Sequence, residues 1–554
     1  IVIKEADKGG AICIIYKTFY ASKMSKILQD PKTYKQIDSD PGKKSYQIYQ
    51  KNLVHEHKHV LKEEEIDFIL NFECKGSNLY GLPKVHKSKE VKSAVENLQS
   101  EYVKIPPPDD LKFRPIVAGP ACHTSRLSQL IDTIIKGLPQ YTKSYVRDDI
   151  DFLSKLNRTL PLHQKHLLVT FDVESLYSNI DTDLGIEAIK YWVRKLKHKI
   201  NGRFTEDFIC EAIKIVLENN TFHFNNQYYL QVHGAAMGTR LAPSYANLVL
   251  AYLEENLYTK LKDKYGSEFG TYIEENFLRY LDDCFIIWPQ SKWDIDLLAT
   301  ELNNLHPSLK FTQESSTSEI PFLNILVYLN DNLVLTNLYY KPTDTHQYLH
   351  FNSCHPRHTK HNIPYSQARR LCTIIDDTKI RDKRLTDMAS FFIERGPRKL
   401  VDLGINKAKA IPQSTLRKVK PKDNTDSLPF VFTHNPSNPN MVPLVRSTLA
   451  LLNTDSRMKK VLDSTKFIAS RRQPNNLGRM LTKACFTMST GESIGKSSKC
   501  KDPRCGTCPH LHESTVIDIT STKRKFYIKS QMNCKTKNVL YIITCQGCSE
   551  LMWE

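Results

Sequence analysis

Three aspartates in this sequence have the setting that metal-dependent chemistry requires. Asp282 and Asp283 are adjacent in Tyr280-Leu281-Asp282-Asp283, and the apolar residues on either side predict a β-hairpin with the acids at its tip. Two carboxylates there would repel each other and lose solvation, whereas a divalent cation removes both costs. Asp172 ends another apolar run far upstream. Two strand-borne acid sites in one domain are what two-metal phosphoryl transfer needs.

The composition indicates a polyanionic partner. The 554 residues hold 78 Lys and Arg against 60 Asp and Glu, which gives a net charge of +18. Neutralising phosphates releases counterions, so this excess favours nucleic acid binding. No apolar run approaches the roughly 18 residues of a membrane span, and no secretion leader is recognisable; we expect no membrane partner. The 14 cysteines cluster only near the end, which indicates reduced thiols and one metal site.

Hydrophobic periodicity divides the chain into four regions. Residues 1–165 are mixed, with strands predicted at 1–3 and 11–15 around Asp7-Lys8-Gly9-Gly10 and a polar, helix-biased stretch at 20–70. Residues 166–345 read as a compact α+β unit whose hairpins imply an antiparallel sheet. Residues 346–480 are basic and mainly helical, and residues 481–554 carry the cysteine cluster.

The α+β unit contains the elements that must position the acids. After the strand that ends at Asp172, helices are predicted at about 183–198 and 205–219, followed by a hairpin of 221–224 and 228–232 around Asn225-Asn226. A third helix starts near Pro243. The acidic hairpin then precedes a helix near 293–305 and strands around 309–311 and 322–326.

Ordered motifs carry a resemblance to a known family. Residues 171–180 read FDVESLYSNI, 236–247 read AMGTRLAPSYAN and 280–283 read YLDD; LPKVHK lies at 82–87 and HPRHTK at 355–360. Together they resemble the core motifs of reverse transcriptases, and the motif sequences are most similar to those of the Penelope-like retroelements. The resemblance spans nearly the whole chain. It implies a right-hand polymerase with fingers in 1–165, palm in 166–345, thumb or connection in 346–480 and a small Cys-rich module in 481–554.

The resemblance implies an RNA-directed DNA polymerase that extends a primer 3′-hydroxyl with dNTPs. An RNA template and a DNA primer or target are the expected partners, the expected location is nuclear, and the oligomeric state stays open. Two Mg²⁺ (or Mn²⁺) ions are expected on Asp172 and Asp282, with the carbonyl of Val173 as a further ligand and Asp283 in support. Oxygen ligands suit these hard cations.

Nucleotide contacts follow from the same resemblance. Tyr177 is expected to stack beneath the incoming sugar and exclude a 2′-hydroxyl, with a core tyrosine as the alternative. Lys84, Lys87 and Arg114 are expected on the triphosphate and Lys310 near the leaving pyrophosphate, with solvated lysines as the alternative for Lys84 and Lys310. Gln231, Met237 and Arg240 are candidates for contact with template or nucleotide, with a position behind the contact residues as the alternative. Gly238 would permit close backbone approach to a base or sugar, and Pro243 begins a helix whose N-terminus favours a nearby phosphate. Residues 322–326 resemble a primer-grip hairpin.

Basic residues in the last half of the chain suit a thumb that follows a duplex. Cations on phosphates together with aromatic partners are typical of such surfaces, and a solvated helix face is the alternative for each residue. The predicted nucleic-acid contacts are Tyr280, His358, Lys360, Arg369, Arg370, Arg471 and Arg472.

The terminal cysteines predict a zinc site. Cys500, Cys505, Cys508 and His510 lie within 11 residues, and Cys545 and Cys548 form a second close pair. Tetrahedral Zn²⁺ takes four such ligands. We predict that Cys505 and Cys508 bind with two of the other four residues, and the spacing leaves open which two.

The last residues resemble the opening strand of a GIY-YIG endonuclease, the nuclease that ends Penelope-like proteins. Tyr541 matches a first catalytic tyrosine, but the sequence stops at Glu554 before the acid that would hold a metal. Endonuclease activity is therefore expected to be absent.

Two further hypotheses compete with a working polymerase. The first is a decayed or domesticated nucleic-acid-binding protein of the same fold, which intact Asp172, Asp282 and Asp283 argue against. The second is an RNA-templated RNA polymerase, which Tyr177 argues against, because that class tends to place a polar group there. Primer extension on RNA with dNTPs or NTPs separates the three.

Overall fold

The computed structural model describes the chain in two compact units, Ile1–Phe486 and Thr487–Glu554. It describes every residue except 41, 97–101, 162–163, 342–343, 345, 394, 419–426, 439–440, 463–465, 488–494, 501, 520–523, 529, 537–541, 545–550 and 554. None of the described helices is long and apolar enough to cross a membrane.

The N-terminal part begins with a β-hairpin and continues as short helices between single strands. Its elements are β1 (Val2–Glu5), β2 (Ile12–Ile15), α1 (Lys17–Leu28), β3 (Tyr34–Ile37), α2 (Gly42–Glu56), α3 (Glu63–Leu70), β4 (Asn78–Pro83), α4 (Lys89–Glu96), β5 (Phe113–Ala118), α5 (Ser125–Ile135) and α6 (Asp149–Lys155). The first hairpin is confirmed. β3 lies inside the stretch that was predicted to be helical.

The central part alternates helices with hairpins, as its sequence predicts. Its elements are β6 (His166–Val173), α7 (Leu176–Asn179), α8 (Thr182–Lys195), α9 (Glu206–Glu218), β7 (Asn220–Phe224), β8 (Gln227–Gln231), α10 (Ala242–Tyr265), α11 (Ser267–Asn276), β9 (Leu278–Tyr280), β10 (Asp283–Pro289), α12 (Ile295–Asn303), β11 (Phe311–Ser316), β12 (Glu319–Phe322), β13 (Ile325–Asn330) and β14 (Leu333–Leu338). Residues 322–326, where a strand and a primer-grip hairpin are predicted, hold the end of β12, the turn at Leu323 and Asn324, and the start of β13. β11 starts at Phe311, where the strand predicted at 309–311 ends.

The rest of the first unit is mostly helical. It contains α13 (Arg357–Ile374), α14 (Thr378–Ile393), α15 (Arg398–Lys409), α16 (Gln413–Leu416), β15 (Ser427–Thr433), α17 (Met441–Leu452), α18 (Ser456–Leu462), β16 (Lys466–Arg472) and α19 (Leu477–Leu481). The parallel pair β15–β16 was not predicted, because its two strands lie far apart in sequence.

Two sheets carry the centre of the first unit. The palm sheet has the order β11-β6-β10-β9 and all its pairs are antiparallel. The second sheet has the order β3-β8-β7-β4-β5. The hairpin β7–β8 turns at Asn225 and Asn226, both with positive φ, as predicted. It does not join the palm sheet, however, but pairs with strands of the N-terminal region. The domain boundary predicted at residue 165 therefore separates strands that belong to one sheet.

The palm sheet is buried on both faces. Cys284, Ile286 and Trp288 of β10 pack into one core cluster with helices α8, α9 and α10. Phe285 and Ile287 point to the other face and pack with β12, β13 and β14 and helices α13 to α15. Successive strand residues point to opposite faces, which explains why β10 reads as a continuous apolar run. The acids at its start therefore sit on a rigid support.

The described part of the second unit consists mainly of short strands. It contains β17 (Ser497–Ser498), β18 (Val516–Ile519), β19 (Arg524–Tyr527), β20 (Met532–Asn533), β21 (Ile542–Thr544) and β22 (Leu551–Trp553). Its strands form three two-stranded sheets, of which β17–β20 is parallel and the other two are antiparallel. The α+β class with a Cys-rich C-terminal module is confirmed.

Candidate active site

The three aspartates meet at one end of the palm sheet. Asp283 of β10 is the register partner of Asp172 of β6, so the two side chains share a face of the sheet. Asp282 lies in the two-residue turn between β9 and β10. Its carbonyl accepts a hydrogen bond of 3.3 Å from the N–H of Val173, which ties the turn to the end of β6.

Mutual repulsion is visible in the electrostatics of the acids. Desolvation first, and then the charges of Asp282 and Asp172, raise the pKa of Asp283 to about 6. Desolvation and the charge of Asp282 also raise the pKa of Asp172. Asp283 is exposed at the mouth of a cavity, yet enough protein surrounds its carboxylate to make desolvation the larger effect. The cluster therefore favours a cation.

A buried network holds the turn that carries Asp282. Arg279 is only 1% exposed and pairs with Glu254 of α10. Its guanidinium also donates to the side chain of Asn247 at 2.9 Å and to the carbonyl of Leu281 at 3.2 Å. Leu281 has a φ of 55°, a strained conformation for a bulky side chain. Arg279 thus pins the strained residue beside Asp282.

Asp283 opens onto a cavity of about 820 Å³ between the palm sheet and α13. Asp283 and Tyr280 line it together with Leu323 and Asn324, which lie in the turn between β12 and β13. The cations that line it are Lys8, Lys341, Arg369 and Arg370. The structure therefore places three of the predicted nucleic-acid contacts, Tyr280, Arg369 and Arg370, and the predicted primer-grip turn around one cavity that contains Asp283.

The predicted triphosphate cations lie on β5, which carries Arg114, and just after its neighbour β4, where Lys84 and Lys87 follow. Arg114 is 3.0 Å from Asp7 through its Nε. Lys84 follows β4, and burial together with the charges of Arg114 and Lys87 lowers its pKa. Lys87 is exposed, and its charge offsets part of the rise in the pKa of Asp172.

Lys310 lies just before β11, close to the end of β6. Its side chain is 68% exposed, and its ammonium is 3.6 Å from Glu174. Its carbonyl accepts a hydrogen bond from the N–H of Glu174 at 2.9 Å. Lys310 is therefore a solvated cation beside Glu174, which follows Asp172 by two residues.

Tyr177 lies on α7, directly after β6. Burial, with the charges of Asp282 and Tyr280 nearby, raises its pKa to about 12. The loop of residues 233–241 closes over its backbone: the Ala235 N–H donates to the Tyr177 carbonyl at 2.6 Å, and a Cβ on Gly234 would lie 2.5 Å from that oxygen. The backbone of Tyr177 is therefore fixed, and its side chain lies close enough to Asp282 to feel that charge.

The same loop explains Gly238, though not as predicted. Gly238 has a φ of 122°, and a Cβ there would lie 2.3 Å from the Val117 carbonyl. The close approach is thus to β5 of the chain itself, and the Val117 N–H donates to the Met237 carbonyl at 2.9 Å. Arg240 and Pro243 are exposed beside this loop, and Pro243 lies in the first turn of α10.

The structure corrects the prediction for Gln231. Its side chain is 3% exposed. Its amide nitrogen donates to the His233 carbonyl at 2.9 Å and its amide oxygen accepts from Asn220 at 3.3 Å. Both ends are satisfied inside the chain, so Gln231 supports the β7–β8 hairpin and is not available to a nucleotide.

The remaining basic residues lie away from the acids. His358 and Arg471 line a second cavity of about 840 Å³ with Phe432 and His434. Lys360 donates to the Ser353 carbonyl at 2.8 Å, and Arg472 donates to the Thr433 hydroxyl at 3.1 Å. None of His358, Lys360, Arg471 and Arg472 lines the cavity that contains Asp283.

Four cysteines of the second unit form a metal-type cluster. The sulfur atoms of Cys500, Cys505, Cys508 and Cys534 all lie within 4.8 Å of one another. Parallel pairing of Ser498 with Asn533 brings Cys500 and Cys534 side by side. Backbone N–H groups of Cys508 and Thr507 lower the pKa of Cys505 to about 7, which favours the thiolate that binds metal.

This cluster corrects the ligand set expected from spacing. Cys534, and not the candidate His510, supplies the fourth ligand atom of the cluster. The pairing of β17 with β20 brings this sulfur into place, and sequence spacing does not reveal that pairing. Cys545, Cys548 and Tyr541 lie outside the described residues. Four sulfur donors at this separation match the soft, tetrahedral set that Zn²⁺ takes in structural sites.

Two family profiles match the chain. Residues 105–310 match the family described as reverse transcriptase (RNA-dependent DNA polymerase). Residues 105–310 are therefore similar to the polymerase domain of reverse transcriptases. This confirms the right-hand polymerase class, since the matched residues include the palm strands β6, β9 and β10 with their three aspartates. Residues 347–402 match the animal helix-turn-helix domain, and they contain α13, a turn at 375–377 and α14.

Several solved polymerase structures are similar to this chain at low sequence identity. Apo telomerase from Candida tropicalis truncated from its C-terminal domain has 12% identity and a TM-score of 0.38 over 60% of this chain and 63% of that one. Telomerase from Candida albicans in complex with a fragment of telomeric RNA has 8% identity and a TM-score of 0.43 over 83% and 72%. The RNA-dependent RNA polymerase of a human picobirnavirus has 12% identity and a TM-score of 0.37 over 70% and 80%.

These likenesses assign no residue role. The chain spans less than two thirds of the truncated telomerase, at 63%. No match was found among curated proteins.

The carboxylate cluster fits a pair of hard divalent cations. Its three acids supply only oxygen donors. The pKa values of Asp172 and Asp283 are raised where the acids face one another, so a cation is needed to keep the cluster charged. Asp172, Asp282 and Asp283 would hold the ions, with the Val173 carbonyl beside them.

Sequence reasoning missed three features of this site. Lys8 at the tip of the first hairpin, Arg279 beneath the acidic turn, and the helix-turn-helix of α13 and α14 were not singled out. A usable signal existed only for the last: Asp377 caps α14 by accepting from the N–H groups of Lys379 and Ile380, a recognisable helix start.

Proposed function

We propose that this chain is the RNA-directed DNA polymerase of a Penelope-like retroelement. It extends the 3′-hydroxyl of a DNA primer or target with dNTPs on an RNA template. The observation that carries the proposal is the meeting of Asp172, Asp282 and Asp283 beside Tyr177 at the end of the palm sheet. The ordered motifs at 171–180, 236–247 and 280–283 support the retroelement subtype, and a nuclear location follows from that role.

The residues of the chain divide the work of phosphoryl transfer. Bound divalent ions would supply charge neutralisation and activation of the attacking oxygen. Arg114, Lys84 and Lys87 bind the triphosphate, and Tyr177 limits the sugar to one without a 2′-hydroxyl. Arg369 and Arg370 of α13 contact the primer–template backbone across the cavity. Such catalysis depends mostly on positioning and electrostatics.

The domain roles are part of the proposal. The sheet of β4, β5, β7 and β8 serves as fingers, the palm sheet carries the acids, and residues 346–480 act as thumb or connection. The sulfur cluster of Cys500, Cys505, Cys508 and Cys534 holds one structural Zn²⁺. Cys545 and Cys548 belong to the start of a GIY-YIG segment.

Primer extension tests this function. A labelled DNA primer on an RNA template is incubated with the purified chain, Mg²⁺ or Mn²⁺, and either dNTPs or NTPs. We expect extension with dNTPs only, and none from Asp172→Asn. Extension with NTPs alone would identify an RNA-templated RNA polymerase. Tight primer–template binding without any extension would identify a nucleic-acid-binding protein that has lost its chemistry.

A further inference from the structure

The turn Asp7-Lys8-Gly9-Gly10 holds Lys8 at the tip of the first hairpin. Gly9 and Gly10 have φ values of 91° and 71°, which side chains other than glycine rarely adopt. The Ala6 N–H donates to the Ala11 carbonyl at 2.8 Å and closes the turn. The tip is therefore a defined loop with Lys8 as its cation.

Asp7 fastens this tip to the strands that carry the triphosphate cations. Its N–H donates to the carbonyl of Pro83, the last residue of β4, at 3.0 Å. Its carboxylate lies 3.0 Å from the Nε of Arg114, and the Asp7 side chain is only 2% exposed. A guanidinium has five donors, so this contact orients Arg114 while its terminal nitrogens remain for another anion.

Lys8 faces the catalytic carboxylates. It lines the cavity of about 820 Å³ together with Asp283, Tyr280 and Lys341. Its charge acts on both Asp172 and Asp283, where it offsets part of the rise in pKa that burial and the neighbouring acids cause. Within the described ranges, no hydrogen bond or ion pair within 4.0 Å engages its ammonium. An ammonium held at the mouth of an acidic site without a fixed partner is placed for a ligand.

We propose that the Asp7–Gly10 turn is part of the nucleotide site, where Lys8 contacts the polyphosphate tail of the incoming nucleoside triphosphate and Asp7 orients Arg114 toward it. The assignment rests on the proposed function, because it names how that same site recognises its substrate. Lys8 is then a fourth cation for the triphosphate, besides Lys84, Lys87 and Arg114. Neutralisation of the carboxylates by divalent ions would leave Lys8 without its present counter-charges, and the polyphosphate is the anion that replaces them.

Binding without chemistry tests the proposal directly. The full chain is loaded with a dideoxy-terminated primer–template, and dTTP or inorganic tripolyphosphate is titrated in by calorimetry with Mg²⁺ present. Loss of one charge-assisted contact predicts binding weakened by about tenfold or more in Lys8→Ala. Lys8→Arg should retain most of the affinity. The matched control is Lys17→Ala, which removes an exposed lysine just after the same hairpin and should bind like the wild type.

Steady-state kinetics provide a second measurement, which a purely structural role of Lys8 would leave unchanged. In Lys8→Ala the KM for dNTPs should rise by a similar factor while the affinity for primer–template and the melting temperature stay the same. Unchanged dTTP and tripolyphosphate binding in Lys8→Ala would overturn the proposal, as would a wild type that binds neither probe. An equal loss of primer–template and nucleotide affinity would also overturn it. A wild type that binds dTTP through Lys8 but extends no primer would refute the polymerase function and leave this assignment standing.

Discussion

Asp172 and Asp283 stand opposite each other as register partners on β6 and β10. Like charges in directly opposed positions of an antiparallel pair destabilise the sheet, and the pKa of each acid is raised. Apolar packing on both faces of the palm sheet holds the two strands in this register. The fold thus keeps two mutually repelling carboxylates together at the point where divalent ions are expected.

The first prediction concerns these acids. Asp172→Asn or Asp282→Asn should lower primer extension by at least about 100-fold, since even outer partners of metal ligands cost 10- to 100-fold. Primer–template affinity should stay nearly intact in a gel-shift assay. Without metal, Asp172→Asn should also raise the melting temperature, because repulsion is removed. Asp263→Asn, at an exposed acid of α10, is the control; retained extension in either active-site variant would refute the metal assignment.

The second prediction concerns sugar choice. Tyr177→Val or Tyr177→Ala should reduce the preference for dNTPs over NTPs by about tenfold or more, the scale on which pocket shape discriminates small groups. Competition assays with mixed nucleotides measure the ratio. Tyr177→Phe keeps the ring and should keep the preference. If the ratio is the same in all variants, Tyr177 is a core residue and sugar choice lies elsewhere.

The third prediction separates the two zinc ligand sets. Purified protein should hold about one zinc per chain, and Cys534→Ser or Cys508→Ser should release it, as measured by metal analysis. His510→Ala should retain the metal. Metal loss should loosen residues from 487 onward in hydrogen exchange, because metal binding is coupled to folding, while extension persists. Zinc lost from His510→Ala but not from Cys534→Ser would restore the set expected from spacing.

The fourth prediction concerns the buried pair beneath the acidic turn. Glu254→Ala leaves Arg279 charged and unpaired at 1% exposure, which should lower the free energy of unfolding by about 3–5 kcal/mol. Extension by the folded fraction should fall as well, because Arg279 also holds Leu281. Glu218→Ala, which removes an exposed pair with Lys214 at 3.7 Å, should cost less than about 1 kcal/mol. Equal costs in urea unfolding would contradict this assignment.

The fifth prediction is a pH dependence of stability at Glu301. Burial alone would raise its pKa, but hydrogen bonds from Lys260, Lys264 and Tyr265 outweigh burial and lower the pKa to about 2 from 4.5. A folded-state pKa below the unfolded value adds stability above pH 4.5 that is lost between 4.5 and about 2. Glu301→Gln should therefore melt below the wild type at pH 7, and the difference should shrink as the pH falls. A difference that is constant with pH would contradict the shift.

The sequence alone determined the features that depend on neighbouring residues. The acids, the hairpin at Asn225 and Asn226, and the start of α10 beside Pro243 follow from local pattern, because turns and caps are set by a few adjacent residues. The polymerase class followed from motifs of the same short kind.

Only the tertiary structure decided which distant segments meet. It paired β7–β8 with β4, placed Cys534 rather than His510 beside Cys508, buried Gln231 and carried Lys8 to the cavity of Asp283. Each of these results depends on strand register or chain crossing between segments that are far apart in sequence. Local periodicity reports which face of an element is apolar, but it does not report which element covers that face.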